Sequence, residues 1–185
     1  MARDIYQLKV TIVGTKPPVW RRLLVPGSTS LLSLHGIVQA AFGWEDYHLH
    51  EFEINGMHYG TDDGQGFGPR PRSERGARLA SVATEGTTFT YLYDFGDGWE
   101  HKVLVEKVTP AEPGTTYPAC VGGRRACPPE DCGGSWGYQE FLIAIADQQH
   151  PEHDAMLDWA GGEFDPSAFD PGDFAQRYRP SGSGR

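Results

Sequence analysis

Long hydrophobic runs are absent from this chain of 185 residues. No segment approaches the roughly 18 consecutive apolar residues that a membrane-spanning helix needs. The first ten residues alternate polar and apolar side chains and lack the apolar core of a secretion signal. We therefore expect a cytoplasmic protein with no membrane association.

Positive charge and cysteine are also scarce. Lysine and arginine total 16 residues against 25 aspartates and glutamates, which gives a formal net charge of −9. Such an acidic balance argues against a protein that coats nucleic acid by neutralising phosphates, although it is compatible with a small basic groove. The three cysteines are an odd number, and a reducing compartment disfavours a disulfide framework.

The residues that are present predict a folded domain with many turns. Apolar residues make up 38% of the chain, and 24 glycines and 14 prolines favour short elements. Period-two alternation predicts strands, and helical spacing of apolar residues predicts amphipathic helices. The strands are expected at 6–12, 19–25, 48–55, 57–60, 89–95 and 99–105, and the helices at 31–41, 138–145 and 153–160. The predicted fold class is α+β, a single domain with a mixed or antiparallel sheet, hairpins and about three helices.

The domain is expected to span residues 1–170, followed by a tail over 171–185. Residues 60–86 are rich in Gly, Pro, Arg and Asp and have no apolar period, which predicts a long mobile surface loop. This loop contains the only notable run of basic residues: Arg70, Arg72, Arg75 and Arg78.

Three cysteines within 13 residues suggest a metal site. Cys120, Cys127 and Cys132 lie in a Gly/Pro-rich segment, and a structural zinc ion takes four Cys or His ligands. The strand pattern directs His101 toward the apolar side of its strand, where it is the candidate fourth ligand. His48 and His50 point to the apolar side of another strand. The alternative is that the thiols are simply small, partly buried side chains.

Carboxylates cluster near the same segments. Asp94, Asp97 and Glu100 surround a Gly-containing turn, and Glu130 and Asp131 are adjacent in the cysteine segment. With His48 and His50 they form a candidate polar site, since carboxylates and imidazoles hold metals or transfer protons. The alternative is a tight hairpin turn at 94–98 and a chain reversal at 128–134.

The chain also resembles the plasmid pRiA4b Orf-3-like family. The phrases that carry the resemblance are Tyr6–Val10, Pro18–Arg22, His35 with Ala41–Trp44, His48–Phe52, Tyr93–His101 and Cys120–Gly134 with Gly137–Tyr138. The resemblance spans residues 5 to about 165 and implies an α+β fold. It implies little about activity, and this sequence contains neither a nucleophilic serine in a resolvase context nor a DNA-reading helix to match the transposon-resolvase label that some members carry.

The leading functional prediction is a non-catalytic binding or accessory domain. Its polar site would form where His48, His50, the 94–101 turn and the 120–134 loop meet, with zinc as the candidate cofactor and a protein or small molecule as the partner. One alternative is a metal-dependent hydrolase, in which a zinc-bound water is activated by an Asp, Glu or His. Another is a mobile-element accessory protein that contacts DNA through Arg21, Arg22 and the arginines at 70–78.

Overall fold

The fold is built on one β-sheet. Its neighbouring strands are antiparallel, except for one parallel pair at an edge of the sheet. The structure is a computed structural model that describes residues 4–61 and 70–179. Within these residues the sheet has eight strands: β1 (Asp4–Ile12), β2 (Trp20–Pro26), β3 (His50–Ile54), β4 (Met57–Gly60), β5 (Arg72–Ser73), β6 (Thr88–Tyr93), β7 (Trp99–Pro110) and β8 (Ala119–Arg124). Their order in the sheet is β5-β4-β3-β6-β7-β1-β2-β8.

Five helices accompany the sheet over the same described residues. They are α1 (Leu31–Phe42), α2 (Leu79–Val82), α3 (Gly134–Ala146), α4 (His153–Trp159) and α5 (Gly172–Arg177). The α+β class predicted from the sequence is confirmed. No helix in the described part of the chain is long and apolar enough to cross a membrane, and the longest has 13 residues.

The alternating strands bury one face of the sheet. In β1 the side chains of Tyr6, Leu8, Val10 and Ile12 are buried, while the residues between them are more exposed. The apolar residues of α1 belong to the same core. α1 begins at Ser30, whose Oγ accepts a hydrogen bond from Ser33 N, and ends at Gly43, whose left-handed backbone (φ 86°) suits glycine.

The expected loop at 60–86 is structured in its second half. It contains β5 and α2, and the side chains of Glu74 and Leu79 are 4% and 0% exposed. Backbone hydrogen bonds from Leu31 N to Ala77 O and from Leu79 N to Thr29 O hold this stretch. Both residues of β5 are exposed and α2 buries Leu79, so these short elements leave no apolar period in the sequence. Residues 62–69 lie outside the described residues.

The expected tail after residue 170 begins with a packed helix. α5 packs against α1 and β8, and its Phe174 is buried. One aromatic anchor is enough to dock a helix of six residues, but it gives too little periodicity to be recognised in the sequence. The fold therefore continues beyond residue 170, and residues 180–185 of the expected tail lie outside the described residues.

Candidate metal site

Three separate segments meet at one end of β3 and β6. His48 lies just before β3, Asp94 follows β6, and Asp131 lies in the loop between β8 and α3. His48 Nε2 is 3.0 Å from Asp131 Oδ1 and 3.7 Å from Asp94 Oδ2. One ligand atom from each of the three residues lies within 4.8 Å of the other two. The segments predicted to meet therefore do so, through an imidazole and two carboxylates.

Backbone geometry places Asp94. Its φ of 55° is in the left-handed region, which is uncommon for a residue other than glycine. Asp94 Oδ1 accepts a hydrogen bond from Gly96 N at 2.9 Å, and Asp94 N donates to Leu49 O at 2.9 Å. These bonds occupy Oδ1, tie the residue to the segment that carries His48, and leave Oδ2 facing the imidazole.

The loop that carries Asp131 packs backbone against backbone on the turn at 94–98. Asp97 Oδ2 accepts a hydrogen bond from Gly133 N at 3.0 Å. A Cβ added to Gly134 would lie only 2.3 Å from Asp97 O, and the φ of Gly134 is 68°. Glycine is therefore required at 134 for this close approach. Asp131 itself has a φ of 56°, and its Oδ1 lies 3.0 Å from His48 Nε2.

The environment of the His48 nitrogen suits a cation. Nε2 is inaccessible to solvent, yet it is not aligned for a hydrogen bond with either neighbouring carboxylate oxygen. Two ligand atoms on one zinc ion lie about 3–3.5 Å apart, because zinc–nitrogen and zinc–oxygen bonds are near 2.0–2.2 Å. The separations of 3.0 and 3.7 Å bracket that range. The Asp94 side chain is 9% exposed and that of Asp131 67%, so the group opens toward solvent on one side.

A second group of histidines and carboxylates lies nearby in the core. The rings of His35 and His50 stack with centroids 3.5 Å apart and planes 4° from parallel. His35 Nε2 is 2.8 Å from Asp46 Oδ1, and His50 Nε2 is 2.7 Å from Glu74 Oε2. Because ionised carboxylates only accept, each Nε2 carries the proton. His35 Nδ1 then accepts a hydrogen bond from the Tyr91 hydroxyl at 2.7 Å.

The stacked pair is better suited to holding protons than to chelating an ion. The lone pair of an imidazole nitrogen lies in the ring plane, so parallel rings 3.5 Å apart cannot both direct a lone pair at one point. Each Nε2 also already has a carboxylate partner. Burial lowers the pKa of His35 below its ordinary value, and the hydrogen bond to Asp46 opposes this shift. We interpret the group as two hydrogen-bonded His–carboxylate pairs.

Glu130 connects the same loop to the segment after α1. Its Oε1 accepts hydrogen bonds from Glu45 N at 2.9 Å and from the Tyr93 hydroxyl at 3.1 Å. The Tyr93 oxygen in turn accepts from Tyr47 N at 3.1 Å. Burial, together with the Glu130 charge, raises the pKa of Tyr93 well above its ordinary value. This network fixes the loop beside His48, whose ring lies 5.8 Å from that of Tyr93.

The predicted cysteine–histidine set is not brought together as one group. Among the residues that the structure describes, neither cluster with metal-ligand spacing contains a cysteine. Burial raises the pKa of all three thiols, that of Cys132 to about 12, so they are protonated at neutral pH. His101 is fully buried among Phe42, Trp44 and Tyr91.

The remaining predicted residues have other positions. Glu100 alternates with the buried Trp99 and His101 and is exposed on the opposite face of the sheet. His50 belongs to the stacked pair, and Asp97 serves to hold Gly133.

Both adjacent arginines of β2, which were candidates for contacting DNA, make contacts inside this protein instead. Arg21 is buried, and Arg22 forms two hydrogen bonds with Glu106.

Sequence reasoning missed His35, Asp46 and Glu74 as members of a polar cluster. His35 lies on the buried face of α1, and its position between apolar neighbours was the available signal. Asp46 and Glu74 lie in segments without periodicity, and only the folded chain brings them to the two histidines.

The fold and site define an α+β protein with a three-residue, metal-ligand-like polar site. The chain belongs to the plasmid pRiA4b ORF-3-like protein family, whose model matches residues 4–173. It is 42% identical over 171 residues to the uncharacterized protein y4hQ of Sinorhizobium fredii (strain NBRC 101917 / NGR234), which covers 91% of this chain and 87% of that protein. It is also similar to the crystal structure of MM3350, a protein of unknown function from Methanosarcina mazei Go1. The TM-score is 0.85 and the identity 42%, over 94% of this chain and 98% of that one.

Proposed function

We propose that this protein is a cytoplasmic binding domain that holds a divalent cation of the zinc class at His48, Asp94 and Asp131. The observation that carries the proposal is the convergence of one imidazole nitrogen and two carboxylate oxygens, from three separate segments, within 4.8 Å. One nitrogen and two oxygen ligands suit zinc and neighbouring divalent ions. The His48 nitrogen also has no hydrogen-bond partner among the described residues.

The ligand count favours an open site. A structural zinc ion is closed by four protein ligands, whereas three ligands leave a coordination position for water or an added ligand. Because the Asp131 side chain is 67% exposed, that open position would face the protein surface. An ion there would recruit an anionic or carbonyl group of a small molecule or of a partner protein.

Calorimetric titration of metal-depleted protein with Zn²⁺ tests this function. We expect one saturable site, abolished in His48→Ala. The matched control is His58→Ala, because the His58 side chain is 42% exposed, pairs with Glu51 at 2.8 Å and lies outside the group. Equal zinc affinity in wild type and His48→Ala, or no saturable binding in wild type, would refute the proposal.

A metal-dependent hydrolase is the second candidate, and the open coordination position favours it. When bound, a zinc ion with three protein ligands lowers the pKa of a coordinated water and so supplies a nucleophile at neutral pH. The test is turnover of a panel of phosphoester and amide substrates by zinc-loaded protein. Activity that is lost in Asp94→Asn while folding is retained supports this candidate. If the folded, zinc-bound protein turns over no substrate of the panel, the hydrolase candidate is rejected and the binding function is the one that stands.

A further inference from the structure

A cavity of about 510 Å³ lies between the C-terminal end of α1, residues 126–130 and residues 160–177, and none of the three proposed metal ligands lines it. Polar and apolar side chains both line it, and four of the lining residues are aromatic: Phe42, Trp44, Phe164 and Phe169. The volume is within the range of small-molecule binding sites, about 300–1,000 Å³.

Arg21 is an unusual lining residue, because it is charged and yet only 3% exposed. Its Nε donates to Ala41 O at 2.8 Å, and its Nη1 donates to Trp20 O at 2.9 Å and Arg124 O at 3.2 Å. These bonds satisfy main-chain carbonyls, including one in the last turn of α1. Within residues 4–61 and 70–179, Nη2 has no hydrogen-bond partner and no carboxylate lies within 4.0 Å of the guanidinium.

A buried guanidinium with no carboxylate in direct contact is energetically costly. Buried charges in proteins are paired or bind a ligand of opposite charge, because desolvation is otherwise not compensated. Burial also lowers the pKa of Arg21, which reflects this cost. The rings of Phe42 and Phe169 lie 4.9 and 4.7 Å from the guanidinium carbon, so they fix the plane of the group. In the described structure Nε and both Nη1 hydrogens are engaged, so Nη2 is the group that can donate to an oxygen of an anion such as a carboxylate.

The other charges around the cavity restrict the kind of anion. Glu45, Glu130 and Asp170 also line it, whereas the second cation, Arg177, is already paired with Asp173 at 3.3 Å. Three carboxylates would repel a multiply charged phosphate. They would attract a cationic group on the same molecule that carries the anion. A zwitterion with an apolar side chain matches all three features of the lining: the Arg21 guanidinium, the carboxylates and the aromatic side chains.

We propose that this cavity binds a free α-amino acid with an apolar side chain. The carboxylate of the amino acid accepts a hydrogen bond from Arg21 Nη2, and its ammonium group faces the acidic side chains. The apolar side chain packs against the aromatic residues of the lining. The site uses none of the three proposed metal ligands, so the amino-acid proposal does not depend on the proposed metal function.

Calorimetric titration with L-leucine and its single-charge analogues tests the charge requirement. We expect leucine to bind at least about tenfold more tightly than isopentylamine, which lacks the carboxylate, and 4-methylpentanoate, which lacks the ammonium, because each analogue loses one set of charged hydrogen bonds. Inorganic phosphate should not displace leucine. Absence of saturable leucine binding, equal binding of either analogue, or displacement by phosphate would overturn the proposal.

Adjacent arginines of β2 provide a matched pair of variants. Arg21→Gln should weaken leucine binding by at least about tenfold, whereas Arg22→Gln should not change it, because Arg22 is bound to Glu106 at 2.7 Å. If Arg21→Gln does not fold, Phe169→Ala replaces it as the test, since it removes one ring over the guanidinium from a half-buried position. Unchanged leucine binding in a folded Arg21→Gln or in Phe169→Ala would contradict the assignment. His48→Ala should leave leucine binding unchanged, which separates this site from the metal site.

Discussion

The burial of His101 in the centre of the sheet determines how it titrates. Its Nδ1–H donates to Trp99 O at 2.9 Å, while Nε2 has no partner among the described residues. Burial lowers the pKa of His101 from 6.5 to about 4, so the folded protein holds this ring neutral. The unfolded chain binds a proton at this position between those two pH values, and the folded protein does not.

The free energy of unfolding should therefore fall as the solution is acidified. The contribution of His101 is fully present above its unfolded pKa of 6.5 and is lost as pH falls toward about 4. Between about pH 7 and pH 5 the loss amounts to about 2 kcal/mol. Urea unfolding at both pH values measures it.

The control for this pH effect is His101→Asn, which keeps a donor near the position of Nδ1 but does not titrate. We expect the variant to be less stable at neutral pH and to lose about 2 kcal/mol less than wild type on acidification, because the proton uptake of residue 101 is removed. An identical pH dependence in the two proteins would show that His101 does not titrate in this way.

The sequence predicted single residues well where strand alternation directs a side chain. The inward direction of His50 and His101 followed from period two, and the predicted turn at 94–98 carries Asp94, which lies 3.7 Å from His48. Distances between segments did not follow, because they depend on tertiary packing. The thiols are close in sequence, yet the described structure groups His48 with carboxylates instead. Glu74 gave no local signal, since its partner His50 is 24 residues away.

At the scale of elements, the packing of residues 131–134, at the junction of the loop and α3, on the 94–98 turn decides whether the site forms. Gly134→Ala would place a Cβ 2.3 Å from Asp97 O at a φ of 68°. We expect a loss of about 3 kcal/mol in the free energy of unfolding, from strain and overpacking. Zinc affinity should fall as well, because Asp131 moves with the loop. Chemical unfolding and zinc titration measure the two effects.

Gly36→Ala is the matched control for that substitution. Gly36 is inside α1, and a Cβ there would meet nothing within 4 Å. Replacing glycine by alanine in a helix interior should stabilise the protein by about 0.5–1 kcal/mol and leave zinc affinity unchanged. Equal effects of the two substitutions would argue against the close backbone approach at Gly134.

Elements with local signals were predictable, and elements held by distant contacts were not. Ser30 and Gly43 mark the ends of α1 in the sequence because capping is chemistry local to the helix terminus. α2 and α5 have four and six residues, which is too short for a periodic pattern. Their stability comes from packing against parts of the chain that are distant in sequence, such as the contact of α5 with β8.

For the whole molecule, the proposed ion would connect three segments that are far apart along the chain. A ligand that binds only the folded state raises stability by about 2.7 kcal/mol at 100 times its Kd. We expect added Zn²⁺ to raise the Tm of metal-depleted wild type and to leave that of His48→Ala unchanged. Scanning calorimetry measures both, and an equal rise in both proteins would place the stabilising zinc elsewhere.

The most direct test is a crystal structure of the zinc-loaded protein with anomalous data collected at the zinc absorption edge. We predict an anomalous peak about 2.0–2.2 Å from His48 Nε2 and from one carboxylate oxygen each of Asp94 and Asp131. A zinc-loaded crystal with no peak between these three side chains, or with its peak at the cysteines, would contradict the proposal.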